Sequence, residues 1–331
     1  MNTMKSAAGL FSGVVVLGEA LVDCFASGLQ PGGAPFNVAR SLTALGVPVT
    51  MITRIGASDE AGSLVLASAR QFGLSLAGVQ RDAQHATGMV TVEQDGAAHR
   101  FVIHDNAAWD HIDLEQGRAA LVDVTPAVVY FGTLAQRSPV SRNTLRTLLR
   151  ETQALRYLDL NLRDGTDNQA LAQESLALAD WLKVNDEELD QLLRWFVHPG
   201  LPVAAWGTSA HQGALTRLMH QFQLQRMLVT RGALGYASFD ARGDIEAQGL
   251  GESGLQLVDT VGAGDAFSAV TLAAHLAGWQ PAPALALANR YAAAICGQRG
   301  PLPQNQDFFE PWRLALGYGS VRAATYHRRQ A

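Results

Sequence analysis

The 331-residue sequence has few cysteines, few charges and no long apolar run, and each shortage excludes a class of protein. Two cysteines, Cys24 and Cys296, are too few for a disulfide framework, and free thiols suit a reducing cytoplasm. Apolar runs end at Gly, Asp or Arg before the roughly 20 residues that a membrane-spanning helix needs. Basic residues do not dominate, because 25 Lys and Arg stand against 30 Asp and Glu. We therefore expect a cytoplasmic protein that binds neither a membrane nor nucleic acid.

Hydrophobic residues are plentiful, at 48% of the chain against 17% charged, which is enough for a folded core. Short apolar runs alternate with amphipathic segments, and this alternation predicts a three-layer α/β/α fold with a mainly parallel central sheet. The predicted strands are Val14–Leu17, Thr50–Ile55, Val128–Phe131, Arg156–Leu160, Trp181–Val184 and Met227–Thr230. The predicted helices are Pro35–Leu45, Glu60–Phe72, Ser141–Leu149 and Gln169–Ala179. Ligands on such sheets bind beyond the carboxyl ends of the strands.

One region departs from the alternation. Met89–Glu93 and His99–Ile103 flank Asp95-Gly96, a pair typical of a hairpin turn. We expect segments 20–31 and 86–104 to form a small antiparallel sheet over the main one. One domain over residues 13–316 would carry it, followed by a basic C-terminal tail over 317–331.

The segment from Asp259 to Asp265 precedes and opens a predicted helix. Unpaired N–H groups and the dipole at a helix N-terminus favour an anion, and small residues let a phosphate come close. Gly262-Ala263-Gly264 would hold such an anion. Asp265, in the first turn, would take a proton from an attacking hydroxyl while the amides stabilise a phosphoryl group in transfer. Taken alone, the pattern more often reflects an aspartate that only stabilises a helix start.

A second glycine pair, Gly32-Gly33, precedes the helix that begins near Pro35. Its amides would face a small polar ligand, and Asn37, one turn into the helix, can donate to and accept from hydroxyls. Asp23, just after the first strand, would accept from two adjacent hydroxyls. An ordinary Gly-rich loop before a helix and a plain turn residue are the alternatives here.

In this order and separation, Gly32-Gly33-Ala34-Pro35-Phe36-Asn37 and the segment 259–265 resemble the two signatures of the ribokinase/PfkB family of carbohydrate kinases. Weaker matches lie between them. Asn185-Asp186-Glu187-Glu188 is similar to the family's Asn-x-x-Glu motif, and Thr230-Arg231-Gly232 to its Thr-x-Gly turn. Asp159-Leu160-Asn161-Leu162-Arg163 is similar to the Asp-Pro-Asn-x-Arg strand end of fructokinases and 2-keto-3-deoxygluconate kinases, with leucine in place of proline. The resemblance covers residues 14–312.

The resemblance implies a ribokinase-like fold and a role for each matching residue, with Asp265 as the catalytic base and Gly262-Ala263-Gly264 as the anion hole. The residues implied at the sugar are Asp23, Gly32, Gly33, Asn37, Arg100 and Arg163. Those implied at the nucleotide are Asn185, Thr230, Gly232, Gly235 and Asn289. The small sheet would be a lid that closes over the sugar and forms a homodimer.

The resemblance also implies cofactors. ATP would be the phosphoryl donor, and Asn185 and Glu188 would position Mg²⁺, largely through water and phosphate oxygens. A monovalent cation such as K⁺ would lie near Asp259 and Val261.

The implied reaction is ATP-dependent phosphorylation of a hydroxyl on a small sugar, with D-fructose as the expected substrate because of the first signature and the 159–163 strand end. 2-Keto-3-deoxygluconate is an alternative, since Arg100 or Arg163 would pair with its carboxylate. Other sugars and nucleosides stay open. The alternative from another class is a non-catalytic sugar- or nucleotide-binding scaffold of the same fold.

Two other nucleotide-binding classes fit poorly. A dinucleotide-binding dehydrogenase needs Gly-x-Gly-x-x-Gly directly after its first strand, where this chain has Gly18 alone. A P-loop kinase needs Gly-x-x-x-x-Gly-Lys-Ser/Thr, which does not occur.

Overall fold

The computed structural model describes residues 13–25, 28–95, 98–163, 168–198, 206–254 and 256–319. Its strands are β1 Gly13–Leu17, β2 Leu21–Phe25, β3 Gly28–Gly32, β4 Val49–Gly56, β5 Val79–Asp82, β6 Gly88–Asp95, β7 Ala98–Ile103, β8 Pro126–Gly132, β9 Leu155–Asp159, β10 Trp181–Asn185, β11 Arg226–Thr230, β12 Tyr236–Asp240 and β13 Ile245–Gly249. Its helices are α1 Ala34–Ala44, α2 Glu60–Gln71, α3 Leu114–Ala119, α4 Pro139–Glu151, α5 Asn168–Leu176, α6 Asp186–Phe196, α7 Ser209–Phe222, α8 Ala263–Leu276, α9 Pro281–Cys296 and α10 Glu310–Leu316. Short 3-10 turns lie at Ala108–His111, Leu134–Gln136, Gly232–Leu234 and Gln306–Phe309.

A nine-stranded sheet runs through the middle in the order β13-β12-β11-β10-β9-β8-β1-β4-β5. Neighbouring strands from β11 to β5 are parallel, and β12 and β13 close one edge as antiparallel strands. Parallel strands need crossover connections, and the intervening helices supply them. The carboxyl ends of the parallel strands therefore meet along one edge of the sheet.

Both faces of the sheet are covered by helices, as β1 illustrates. Val14 and Val16 pack into a core with residues of α1, α2, α8 and α9, whereas Val15 and Leu17 pack with residues of α4 to α7. The alternation follows from the two-residue period of a strand, and an apolar run with both faces covered is typical of a buried parallel strand. The predicted three-layer architecture is confirmed.

The small sheet has the order β3-β2-β6-β7. Its two outer pairs, β2–β3 and β6–β7, are antiparallel as expected. The central pair, β2–β6, is parallel, so the two hairpins lie side by side in one sheet. This joint was not predicted, because a hairpin signal specifies only the pairing within its own two strands.

Some bounds differ from the predicted ones. Helix α5 ends at Leu176 instead of Ala179, because residues 178 and 179 make 3-10 bonds, from Leu178 N to Ser175 O and from Ala179 N to Leu176 O. Among the described helices, none is long and apolar enough to cross a membrane. Most of the predicted basic tail, from residue 320 onward, lies outside the described residues.

Candidate active site

The two glycine segments singled out from the sequence meet at the carboxyl edge of the main sheet. Helices α1 and α8 pack against each other, and Asn37 Nδ2 donates to Asp265 Oδ2 over 2.7 Å, although 228 positions separate these residues in the chain. This hydrogen bond joins the predicted sugar-binding amide directly to the predicted base.

Both helices start at a glycine that no other residue could replace without strain. Gly33 and Gly262 precede the helices with φ of 102° and 83°, a region that residues with a Cβ rarely adopt. A Cβ at Gly33 would lie 2.8 Å from the carbonyl oxygen of Glu19, and one at Gly262 2.6 Å from Pro301 Cα. Neither glycine has a side chain that could cap its helix, so first-turn N–H groups that have no backbone acceptor can face an anionic ligand.

One N–H group of the predicted anion hole, Gly262-Ala263-Gly264, already has an acceptor within the protein. The N–H of Ala263 donates to the carbonyl oxygen of Thr260 over 3.2 Å. The N–H groups of Gly264 and Asp265 also belong to the first turn, where a helix provides no carbonyl acceptor for them. These two N–H groups can therefore donate hydrogen bonds to a ligand at the start of α8.

Asp265 has an environment suited to a base. Burial raises its pKa to about 6, with the Asp159 carboxylate acting in the same direction. The hydrogen bond from Asn37 and the charges of Lys183 and Arg163 act against this rise. A carboxylate with a pKa close to neutral can take a proton from a hydroxyl more readily than an ordinary aspartate.

A buried cation lies directly beneath the glycine turn. Lys183, on β10, is 7% exposed, and its Nζ lies 3.0 and 3.2 Å from the two carboxylate oxygens of Asp159 on β9. A Cβ at Gly264 would lie 2.8 Å from Nζ. Tyr130 and Ser268 hydroxyls also donate to Asp159 Oδ2, each over 3.1 Å. The ion pair thus ties the sheet to the first turn of α8.

Two more carboxyl groups face the same space. Glu19 follows β1, is 2% exposed, and burial raises its pKa to about 7. Its Oε2 has no hydrogen-bond partner among the described residues. Burial also raises the pKa of Asp23 to about 6, and a Cβ at Gly32 would overlap Asp23 Oδ2. Gly32 therefore leaves the room that the Asp23 carboxylate occupies.

The Asn185–Glu188 pair forms a reciprocal cap at the start of α6. Asn185 Oδ1 accepts from Glu188 N over 2.7 Å, and Glu188 Oε2 accepts from Asn185 N over 2.9 Å. Glu188 Oε1 accepts from Leu162 N over 2.8 Å. The Asn-x-x-Glu spacing is thus also a capping box, and Glu188 uses both oxygens on backbone amides.

The predicted nucleotide residues lie at the next strand end. Thr230 ends β11, opposite Asn185 in the register, and Gly235 closes the following turn with a φ of 93°. Gly232, in the same turn, has a φ of 51°. Asn289 Nδ2, on α9, donates to Leu250 O over 3.1 Å. Leu250 is 85% exposed, so this wall of the site presents apolar surface to solvent.

The remaining predicted residues, Asp259, Arg163 and Arg100, lie in three different environments. Asp259 accepts from Val261 N and Gly300 N, each over 3.0 Å, and so links two loops beside α8. Arg163 is exposed, and its charge acts on Glu19, Asp23 and Asp265. Arg100 lies on β7, and its side chain is outside the described part of the structure.

Comparison with known proteins decides the family. A sequence model of the pfkB family of carbohydrate kinases matches residues 14–307, which is most of the chain. The protein belongs to the PfkB family. As a member, it is an ATP-dependent phosphotransferase that acts on a sugar hydroxyl.

Individual PfkB proteins resemble the chain at moderate to low identity. Fructokinase from Klebsiella pneumoniae is 29% identical over 321 residues, covering 87% of this chain and 94% of its own. A fructokinase from Xylella fastidiosa with bound ATP superposes with a TM-score of 0.77 at 22% identity, covering 93% of this chain and 98% of its own. 2-Dehydro-3-deoxygluconokinase from Thermotoga maritima superposes with a TM-score of 0.73 at 17% identity, covering 92% of this chain and 99% of its own. At such identities the two structures show the PfkB fold alone.

Sequence reasoning missed three charged residues of the candidate site: Glu19, Lys183 and Arg40, whose guanidinium donates to Asn37 Oδ1 over 2.6 Å. Lys183 left a signal, since it is one of two lysines in the chain and interrupts the apolar run Trp181–Val184. A lone cation in a buried strand calls for a buried anion nearby. Glu19 and Arg40 gave no comparable signal, because each is in a segment already explained by its neighbours.

Proposed function

We propose that the protein phosphorylates D-fructose, with Asp265 as general base and the first turn of α8 as the anion hole. The observation that carries the proposal is the Asp265 carboxylate itself. It lies at an open helix N-terminus, is oriented by Asn37 at 2.7 Å, and has a pKa raised to about 6. Base and anion site are therefore held by the same helical turn.

In the proposed reaction, the Asp265 carboxylate removes the proton of one sugar hydroxyl. The hydroxyl oxygen then bonds to the terminal phosphorus of ATP, and the bond from that phosphorus to the bridging oxygen breaks to release ADP. First-turn amides, those of Gly264 and Asp265 foremost, stabilise the charge on the phosphoryl group in transfer. Positioning and charge stabilisation provide most of the acceleration in such transfers.

The sugar would bind between the Gly32-Gly33 loop and Asp265. Asp23, next to Gly32, would accept hydrogen bonds from sugar hydroxyls, and first-turn N–H groups after Gly33 would donate them. The small sheet, which carries Asp23, would close over the sugar and form a homodimer. The likeness to the Klebsiella pneumoniae fructokinase favours fructose.

The nucleotide would occupy the edge formed by Thr230, the Gly232–Gly235 turn and Asn289. Exposed Leu250 offers an apolar surface for a flat base. When bound, Mg²⁺ would neutralise charge on the phosphates. Asn185 and Glu188 would hold it largely through water, because Asn185 Oδ1 and both oxygens of Glu188 already accept backbone N–H groups. A K⁺ site beside Asp259 and Val261 belongs to the same proposal.

A 2-keto-3-deoxy sugar acid is the second candidate. Arg163 is the observation that favours it, since this exposed cation acts on the carboxyl groups that face the sugar space and would pair with a substrate carboxylate. Fructose offers no such charge.

The test is ADP release with ATP and Mg²⁺ across fructose, 2-keto-3-deoxygluconate, ribose, adenosine and a blank without sugar. We expect turnover on fructose, reduced by about 10²–10⁴-fold in Asp265→Asn, because the variant keeps the side-chain shape but loses the base. Turnover on the sugar acid instead would establish the second candidate. A folded wild-type protein that binds ATP and releases no ADP on any compound would contradict both candidates, and would leave a sugar outside this panel or a non-catalytic scaffold.

A further inference from the structure

Arg40 is a buried cation next to the active site that no sequence motif explains. It is 2% exposed on α1, one turn after Asn37. Its guanidinium donates to Asn37 Oδ1 over 2.6 Å, to Pro31 O over 3.1 Å and to Ser68 Oγ over 2.8 Å. The group also lies over the Phe36 ring, 4.2 Å from its centroid. These contacts fix its position from several sides.

The hydrogen bond from Arg40 to Asn37 Oδ1 determines the orientation of the Asn37 amide. A guanidinium can only donate hydrogen bonds, so the atom of Asn37 that faces Arg40 has to be the oxygen. The amide nitrogen then faces the other way, where it donates to Asp265 Oδ2 over 2.7 Å. The opposite rotamer would place an oxygen against the carboxylate and an N–H₂ group against the cation, and both contacts would be repulsive.

We propose that Arg40 is a positioning residue for the general base, acting through Asn37. It fixes the Asn37 amide so that one carboxylate oxygen of Asp265 is held by a donor and the other is free for the substrate hydroxyl. The inference rests on the proposed role of Asp265. It adds a residue that touches neither sugar nor nucleotide but determines the orientation of the reacting carboxylate.

The charges around Asp265 indicate in which direction its pKa should move when Arg40 is replaced. Asp159 and Glu19 face it as anions or acids, and Asp23 lies near as well. The cations that act on it are Lys183, Arg163 and Arg40. Burial lowers the pKa of Arg40 to about 9, so it is charged at neutral pH. Loss of this cation, and of the donor that it orients, should raise the pKa of Asp265.

The experiment compares Arg40→Met with Ser68→Ala. The methionine has a similar length without the charge, and the alanine removes a different hydrogen bond of the same guanidinium. One readout is the Asp265 titration by NMR in protein with ¹³C-labelled aspartate, assigned by its loss in Asp265→Asn. We expect the Asp265 midpoint to move upward in Arg40→Met and to stay in place in Ser68→Ala.

A second readout is the pH profile of kcat/KM on the sugar that the wild type phosphorylates. Arg40→Met should lose roughly tenfold at pH 6 and less at pH 8, with an unchanged KM for ATP. An unchanged Asp265 midpoint in a folded Arg40→Met protein would overturn the inference. NMR reports this even if no sugar is turned over, so the outcome is separate from that of the proposed function.

Arg40→Lys serves if the methionine variant does not fold. It keeps a buried charge and loses the forked donor that fixes Asn37. We expect the Asp265 midpoint to move in the same direction but less far, and no movement would again contradict the proposal.

Discussion

Asp265 is the residue whose protonation should limit the activity in acid. Because its pKa is raised to about 6, the carboxylate is lost on acidification near pH 6 instead of near pH 4. We expect kcat/KM to fall about tenfold per pH unit below that point and to level off above pH 7. Steady-state kinetics from pH 5 to 8.5 would measure this.

Two neighbours titrate in the same range, Glu19 with a pKa of about 7 and Asp23 with one of about 6. The pH profiles of kcat/KM for Glu19→Gln and Asp23→Asn would show how much each group contributes to the fall of activity in acid. A profile flat down to pH 4.5 in the wild type would contradict the assignment of Asp265 as a base with a raised pKa.

At the scale of single residues, the sequence pointed to Asp265 and Asn37 as candidates but did not predict the contact between them. Each has a local pattern, a glycine turn before a helix, that marks it as a candidate. Their hydrogen bond depends on the packing of α1 on α8, which brings together residues 228 positions apart. Local spacing contains no information about that distance. The orientation of Asn37 by Arg40 was out of reach for the same reason.

Among the elements, β9, β10 and α8 are held together by the Lys183–Asp159 pair. Burial alone would lower the pKa of Lys183, but Asp159 and its acidic neighbours outweigh this and raise it, so the ammonium remains charged. Lys183→Met leaves the Asp159 carboxylate buried without a cation. We expect a loss of about 3–5 kcal/mol in the free energy of unfolding, measured by urea denaturation.

Two variants sharpen that measurement. In Lys183→Met/Asp159→Asn, the neutral amide replaces the stranded charge, so part of the loss should be recovered. Arg156→Met, on the same strand β9, breaks a more exposed pair with Asp180 and should cost about 1 kcal/mol or less. An equal loss of unfolding free energy in Lys183→Met and Arg156→Met would contradict this prediction, because burial of the Lys183–Asp159 pair would then make no difference.

Most elements of the parallel core were predictable, because strands such as β1 and β10 are mainly apolar runs and helices such as α1 and α2 are followed, after one intervening residue, by a glycine. The parallel joint between β2 and β6 was not, since strand pairing between distant hairpins has no local signal. The Asn185–Glu188 spacing shows the opposite difficulty. One pattern satisfies both a family motif and a capping box, and only the hydrogen bonds distinguish the structural part of its role.

For the molecule as a whole, the buried carboxyl of Glu19 should reduce stability at alkaline pH. Its pKa in the folded protein is about 7, against 4.5 for an ordinary glutamate. Between these values the folded state binds the proton more tightly than the unfolded state, so the free energy of unfolding falls as pH rises. At pH 8 we expect the free energy of unfolding of Glu19→Gln to exceed that of the wild type by up to about 3 kcal/mol. The variant should therefore unfold at a higher temperature. The gain should shrink as the pH falls through 7 and vanish only below the unfolded-state pKa of 4.5, so the second measurement is made at pH 4.

Calorimetry or circular dichroism at the two pH values would measure the effect. Glu60→Gln is the matched control, because that carboxylate is exposed on α2 and should give the same small difference at both pH values. A Glu19→Gln protein that gains nothing at pH 8 would mean that the native state already stabilises the charge. A gain would show that the site keeps an acidic group at the expense of stability.

The strand order has a consequence for how the chain is made. β1 lies inside the main sheet, and every later strand of that sheet joins an existing edge: β4 beside β1, β5 beside β4, β8 on the other side, then β9 to β13 in succession. A ribosome releases the strands in this order, so no strand has to enter between two that are already paired. Asp265 follows all of them, on α8. The nascent protein can thus assemble its binding platform well before it acquires the group that reacts.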